Sequence, residues 1–215
     1  LRPHFVSGRE YAALGKAATA IFSAIHRAEQ MVMSSPALLA RLQLLPAERM
    51  LAAVEPGYSS QTLAGVLDGN LHNGSLHFTG HRVTSPSNVV YGSMLADIYY
   101  DAPPVKEFRK KHKLQKLGGT KAMVQAILKA YKEFGGKNKK PAIAIVEARA
   151  PFQPAEASEN ALLAEILRRE GLTAEVISPE QLEYKNGQLR RGDLAIDIVY
   201  RCVRVQDFLV RFDLN

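Results

Sequence analysis

Apolar residues along this chain fall into three rhythms. The first is helical. Leu14, Ala18, Ile21, Ile25, Ala28 and Val32 recur every three or four residues, the spacing that lines one face of a helix. Ser7-Gly-Arg-Glu10 just before them is a capping box, in which the serine accepts the N3 amide and the glutamate reaches back. Ser34-Ser35-Pro36 ends the helix, a short helix follows through Leu42, and Pro46 and Pro56-Gly57 punctuate the next stretch. The second rhythm is mixed. Thr62 to Leu67 and Leu76 to Thr84 read as strands, with Asp68 to Gly74 as the hairpin turn. Helices are expected from Gly92 to Tyr100 and from Val105 to about Lys113. Another runs to Phe134 with Val124, Ile127, Leu128 and Tyr131 on one face, stopped by Gly135-Gly136. The third rhythm is that of a buried sheet. Ala142 to Val146 is continuously apolar, as in a strand covered on both faces. A helix from Ser158 to Glu170 turns Leu162, Leu163, Ile166 and Leu167 inward, and Thr173 to Ile177 is the next strand. A small ribbon from Leu182 to Leu189 turns at Asn186-Gly187, and Ala195 to Tyr200 is a further strand. Strand, helix and strand between Pro141 and Tyr200 predict a right-handed parallel βαβ unit. The fold class is therefore α/β: a helical N-terminal region with a β hairpin, residues 1–137, then a Rossmann-like unit with parallel strands, residues 138–215.

Composition narrows the function classes. Of 215 residues, 47% are hydrophobic and 23% charged, an ordinary globular balance. No apolar run approaches the roughly 20 residues that span a bilayer, so no membrane partner is expected. The one cysteine, Cys202, rules out an internal disulfide framework and fits a reducing, cytoplasmic compartment. It follows an apolar strand without a catalytic signature and reads as an inert buried thiol. The formal charge of +7 is concentrated in Lys106 to Lys116 and Lys137 to Lys140. With little aromatic interleaving these runs read as solvated faces, and nucleic acid is not an expected partner. The abrupt ends at Leu1 and Asn215 read as those of one part of a larger protein.

Few residues stand out for chemistry. Gly118-Gly-Thr-Lys121 opens a helix without the spacing of a phosphate loop and reads as a cap. His72, His77 and His81 cluster, with His77 and His81 four apart on a strand and so expected on one face, but no carboxylate accompanies them there. Ser85 lacks a nucleophile elbow; its loop at a strand end is a place to meet a ligand. Asp68, expected at the end of the first strand, is the best candidate for a Mg²⁺ ligand, although turn aspartates also bond local backbone. Ser158 and Glu159 at a helix start, and Arg201 at a strand end, occupy positions that contact substrate in open α/β sheets or else serve as caps and surface pairs. No glycine fingerprint follows Val146, which argues against a dinucleotide.

The order of several segments resembles the circularly permuted ATP-grasp proteins, the family of glutathionylspermidine synthase. The segments are Pro56-Gly-Tyr-Ser-Ser60, Val66-Leu-Asp-Gly69, Leu76-His-Phe78, Ser85-Pro86, Ala130 to Gly136, Pro141 to Glu147, Ile177 to Tyr184 and Ile196 to Arg201. The resemblance implies that residues 138–215 form a pre-ATP-grasp unit and that the nucleotide-gripping lobes lie outside this chain. It implies a carboxylate–amine ligase acting through an acyl-phosphate, with ATP and Mg²⁺ bound mainly by those lobes and with small carboxylate and amine or peptide substrates. Asp68 matches the family's first metal aspartate. Gly80, Arg82 and Thr84 stand where a glutamate, an asparagine and a second aspartate are expected, and Val66 stands where an arginine is often found. Either Arg82 replaces a cation and, with Ser85, lines the phosphate or intermediate site, or the chain is a catalytically degenerate relative, a binding or scaffold protein.

Overall fold

A computed structural model describes residues 3–58, 62–72, 75–83, 86, 88–148 and 158–212. It divides into two compact units. The first comprises Leu1–Pro56, Val66–Arg82 and Val205–Asn215; the second comprises Gly57–Gly65 and Val83–Arg204. Contacts therefore divide the chain on either side of the hairpin.

In the first unit, α1 (Gly8–Ser34) starts at the expected box. Ser7 Oγ accepts from the Glu10 amide at 3.2 Å, and the Glu10 carboxylate accepts from the Ser7 amide at 2.7 Å. The second bond holds the Glu10 carboxyl below the usual carboxylate range. Pro36 starts α2 (Pro36–Arg41) and Pro46 starts α3 (Pro46–Ala52), both at the first helical position, where a missing N–H costs nothing. The Glu48 carboxylate reaches back to the Leu45 amide at 2.9 Å. It also accepts from Gln206 on α8 (Val205–Phe212). The hairpin joins β1 (Val66–His72) to β2 (Ser75–Arg82). The first strand thus starts four residues later than expected and runs through the segment assigned to the turn. Pairing closes His72 onto Ser75, leaving Asn73-Gly74 between them, outside the described residues. Asn-Gly is the stronger turn signal, and the seven-residue turn overlooked it.

The second unit is built on a parallel sheet of order β4-β3-β8: β3 is Ala142–Val146, β4 Thr173–Ile177 and β8 Ile198–Arg201. Every residue of β3 is buried, as its unbroken apolar run predicts. The helix α7 (Glu159–Arg169) crosses from β3 to β4, and α6 (Thr120–Glu133) supplies Met123, Val124 and Ile127 to the same core as Ile143, Ile145, Leu163 and Leu167. Two Schellman stops terminate these helices. Gly135 (φ +94°) and Gly171 (φ +80°) take the left-handed conformation, while the amides of Gly136 and Leu172 bond back to the carbonyls of Tyr131 and Leu167. Gly136 tolerates no side chain, because a Cβ there would lie 2.3 Å from the Tyr131 ring.

One expectation for this unit is corrected. The segment Ala195 to Tyr200 is not one strand. β7 (Leu194–Ala195) pairs with β6 (Gln188–Arg191), itself paired with β5 (Glu183–Lys185) across a turn whose Asn186 and Gly187 both have positive φ. The chain then steps across to β3 through Asp197, whose amide bonds to the Ala142 carbonyl and whose carboxylate accepts the Ala142 amide at 2.8 Å. The Gly118-Gly-Thr-Lys121 segment does start α6, with Gly119 at the N-cap, but no side-chain cap bond comes from Thr120. Its hydroxyl pairs with Ser93 Oγ at 2.8 Å and with the Val89 carbonyl, both on α4 (Val89–Asp101). Gly118 and Gly119 permit that approach, since Cβ atoms would meet Ser93 and Val89 at 3.4 and 3.2 Å. α4 turns at Ala102 into α5 (Pro103–Lys111), where Arg109 lies over the Tyr100 ring at 3.5 Å.

Candidate functional site

Asp68 and Arg82 lie together on the hairpin, but not as a strand-end carboxylate and a free cation. Asp68 is the third residue of β1 and stands opposite Gly80. Arg82 Nε donates to Asp68 Oδ2 at 3.1 Å and Nη2 to Oδ1 at 2.9 Å, a fork of two parallel bonds. Gly80 makes room for it: a Cβ there would lie 3.1 Å from Asp68 Oδ2. Asp68 and Arg82 remain 45% and 52% exposed, so water screens the pair and its contribution is at most about 1 kcal/mol.

A bulge reorganises the rest of the hairpin. Asp68 faces Gly80 while Gly69 faces Phe78, so Thr79 is an extra residue on β2. Its hydroxyl donates to the Asp68 carbonyl at 3.3 Å. The extra residue reverses the alternation, so His77 shares a face with Asp68 and Arg82 while His81 joins Leu67 and Phe78. The expected common face of His77 and His81 is therefore lost. His81 packs edge-on against Phe22 of α1, ring centroids 5.2 Å apart, with its Nε2 buried and without a hydrogen bond. Among the described residues no three His, Cys, Asp or Glu side chains gather as a metal site.

The remaining candidates belong to the carboxyl edge of the parallel sheet, except Ser85, which lies outside the described residues. Ser158 caps α7, its hydroxyl accepting the Ala161 amide at 3.1 Å. Glu159 does more than start its own helix. Its carboxylate accepts the amides of Asn88 at 2.7 Å, Val90 at 2.8 Å and Tyr91 at 3.4 Å. Asn88 precedes α4 in a left-handed conformation (φ +68°) and makes no side-chain cap. Glu159 therefore supplies the missing acceptor, and one carboxylate complements two helix N-termini. Arg201 donates to the Val203 carbonyl in the turn after β8.

Two residues at this edge, Glu147 and Asn160, went unsingled in the sequence, and they join Cys202, which was read there as an inert thiol. Cys202 Sγ donates to Asn160 Oδ1 at 3.4 Å, and Asn160 Nδ2 donates to Glu147 Oε2 at 2.6 Å. Glu147 directly follows β3, Cys202 directly follows β8, and Asn160 is the second residue of α7. Their signal was positional: each directly follows a sheet strand or opens the crossover helix, where this sheet order reverses direction. Nearby, burial pushes the Tyr200 phenol well above its usual range, reinforced by Cys202 and Glu159.

Among the described residues no helix is long and apolar enough to cross a membrane. No family model matches the sequence, and no curated protein matches it.

Proposed function

We propose that this chain is the N-terminal part of a circularly permuted ATP-grasp relative that has given up metal ligation at its hairpin and works in the cytoplasm as a binding or scaffold protein. The order of the sequence segments supports the relationship. In this reading the parallel sheet is the Rossmann-like pre-ATP-grasp unit, facing substrate at its carboxyl edge. The observation that carries the loss of ligation is the Arg82 fork on Asp68. Mg²⁺ demands a near-octahedral oxygen shell, usually one or two carboxylates besides phosphate and water. Here the hairpin's one matching carboxylate is already neutralised and doubly bonded, and Gly80 offers no donor in place of the expected glutamate. The described hairpin residues do not fit a magnesium site. The guanidinium occupies the electrostatic role a cation would have, from within the chain.

The ligase reading, with ATP and Mg²⁺ held mainly by segments beyond Asn215, is the other outcome of the test. Isothermal titration of the full protein with Mg-ATP, repeated on Asp68→Asn, separates the two. No saturable heat at millimolar nucleotide, or binding indifferent to Asp68→Asn, is expected. Saturable binding that Asp68→Asn weakens overturns the degenerate reading and restores the ligase.

A further inference from the structure

The amino edge of the parallel sheet, opposite the edge discussed above, carries a charged surface that the proposed function does not use. Between residues 129 and 140 five lysines stand against one glutamate, Glu133, which pairs with Lys129. Lys132, Lys137, Lys139 and Lys140 are exposed and make no ion pair with a described residue. The segment that carries three of them is held in place. Asn138 turns inward, donating from Nδ2 to Asp197 at 3.1 Å and from its amide to the Tyr131 hydroxyl, while its Oδ1 accepts the Lys140 amide at 3.0 Å. Asp197 is spent on Asn138, Tyr131 and the Ala142 amide. It is therefore held by those three donors rather than paired with the lysines. Lys140 Nζ reaches to within 3.8 Å of where a Cβ of Gly171 would lie, just past the end of α7.

An aromatic ring stands in this charge. Phe134 ends α6 and is 63% exposed, between Lys132 and Lys137 in the chain. One edge of its ring rests on Gly57, which has no side chain to cover it. Lysines at helix C-termini complement the dipole, and that accounts for Lys132 alone. It does not account for an exposed phenylalanine beside three further unpaired cations on a pinned loop. An exposed ring flanked along the chain by cations suits unstacked bases and their phosphates. Insertion into a membrane surface calls instead for a continuous apolar helix face, and around Phe134 the residues Lys132, Glu133, Gly135, Gly136 and Lys137 provide none.

We infer that the edge formed by Lys132, Phe134, Lys137, Lys139 and Lys140 binds single-stranded nucleic acid without sequence preference, a base stacking on Phe134 and phosphates pairing with the lysines. This inference is independent of the ATP-grasp reading.

Fluorescence anisotropy of a labelled single-stranded oligouridylate with the full chain tests it. Four phosphate contacts predict a slope of log affinity against log salt of about −3, at roughly 0.7 per phosphate. Lys137→Glu with Lys139→Glu lowers affinity at least tenfold and reduces the slope by about 1.4 on the same rule. Phe134→Leu keeps an apolar contact on Gly57 and removes the stacking ring. It is expected to weaken binding by about fivefold to a hundredfold, the range for loss of one stacked base. The matching charge reversal at Lys110 and Lys111, in the other basic run, leaves affinity within about twofold. Affinity that tracks Lys110 and Lys111 instead, or ignores Phe134, overturns the inference. So does sedimentation with phosphatidylserine vesicles accompanied by only background anisotropy.

Discussion

Removing the Glu159 carboxylate should loosen a helix that lies about seventy residues earlier in the chain. The perturbation is Glu159→Ala, with Glu159→Gln as its graded partner. Two short bonds, at 2.7 and 2.8 Å, link an ionised acceptor to the amides of Asn88 and Val90. Val90 is 2% exposed, so its N–H has little access to water once the carboxylate is gone. Loss of a cap costs about 0.5 to 2 kcal/mol, and a buried amide left unsatisfied costs about 1 to 3 kcal/mol. The two overlap, and Asn88 is exposed so that water repairs its half; the expected loss is about 2 kcal/mol. Glutamine keeps one acceptor oxygen but no charge, and should lose about half as much. In a protein of this size each kcal/mol lowers Tm by about 2 to 4 °C, so Glu159→Ala should fall by roughly 4 to 8 °C. Urea denaturation gives the free energy, and hydrogen exchange at the Val90 and Tyr91 amides locates it. A loss under about 0.5 kcal/mol, the size of an ordinary surface substitution, would refute the reasoning, as would unchanged protection of those amides.

Two further outcomes follow from the geometry. A double-mutant cycle with Asp68→Asn and Arg82→Met, read by thermal denaturation, should give a coupling of about 0.5 to 1 kcal/mol that shrinks with salt, as befits a half-exposed fork. A coupling near zero at low salt would mean the two side chains do not meet. Tyr200 sets an alkaline limit. Its phenol is raised in the folded protein, while in the unfolded chain it titrates near pH 10, at about the ordinary value. Above that pH the unfolded state releases a proton that the folded state keeps, so stability is intact below about pH 10 and declines as pH rises through the folded value. Tyr200→Phe should flatten that decline in urea melts, and an unchanged profile would assign it elsewhere.

Much of the second unit was legible because its signals are local. The unbroken run Ala142 to Val146 has only one comfortable place, between two layers, and all five residues are buried. The Gly135 stop and the Asn186-Gly187 turn, like the Ser7 box in the first unit, each involve residues within a few positions of one another, so short-range sterics and hydrogen bonding decide them. The hairpin was less legible. A strand can slide its ends without changing its alternation, and the bulge at Thr79 leaves no mark in composition; yet that one residue parts His77 from His81.

Sequence by itself determined most of the helices, the existence of the hairpin, and that the last third is a parallel βαβ unit. It also determined which side chains were available for chemistry. Tertiary structure decided what those side chains were left to do. Asp68, a metal candidate in the sequence, is bonded by Arg82; Glu159, a candidate substrate contact, accepts the amides that start α4; and Thr120, at the start of α6, meets Ser93. The physical reason is common to all three. A carboxylate or hydroxyl has no fixed role until its partners are known, and here the partners are 14, 69 and 27 residues distant. Only folding brings them within the few ångströms at which a hydrogen bond forms.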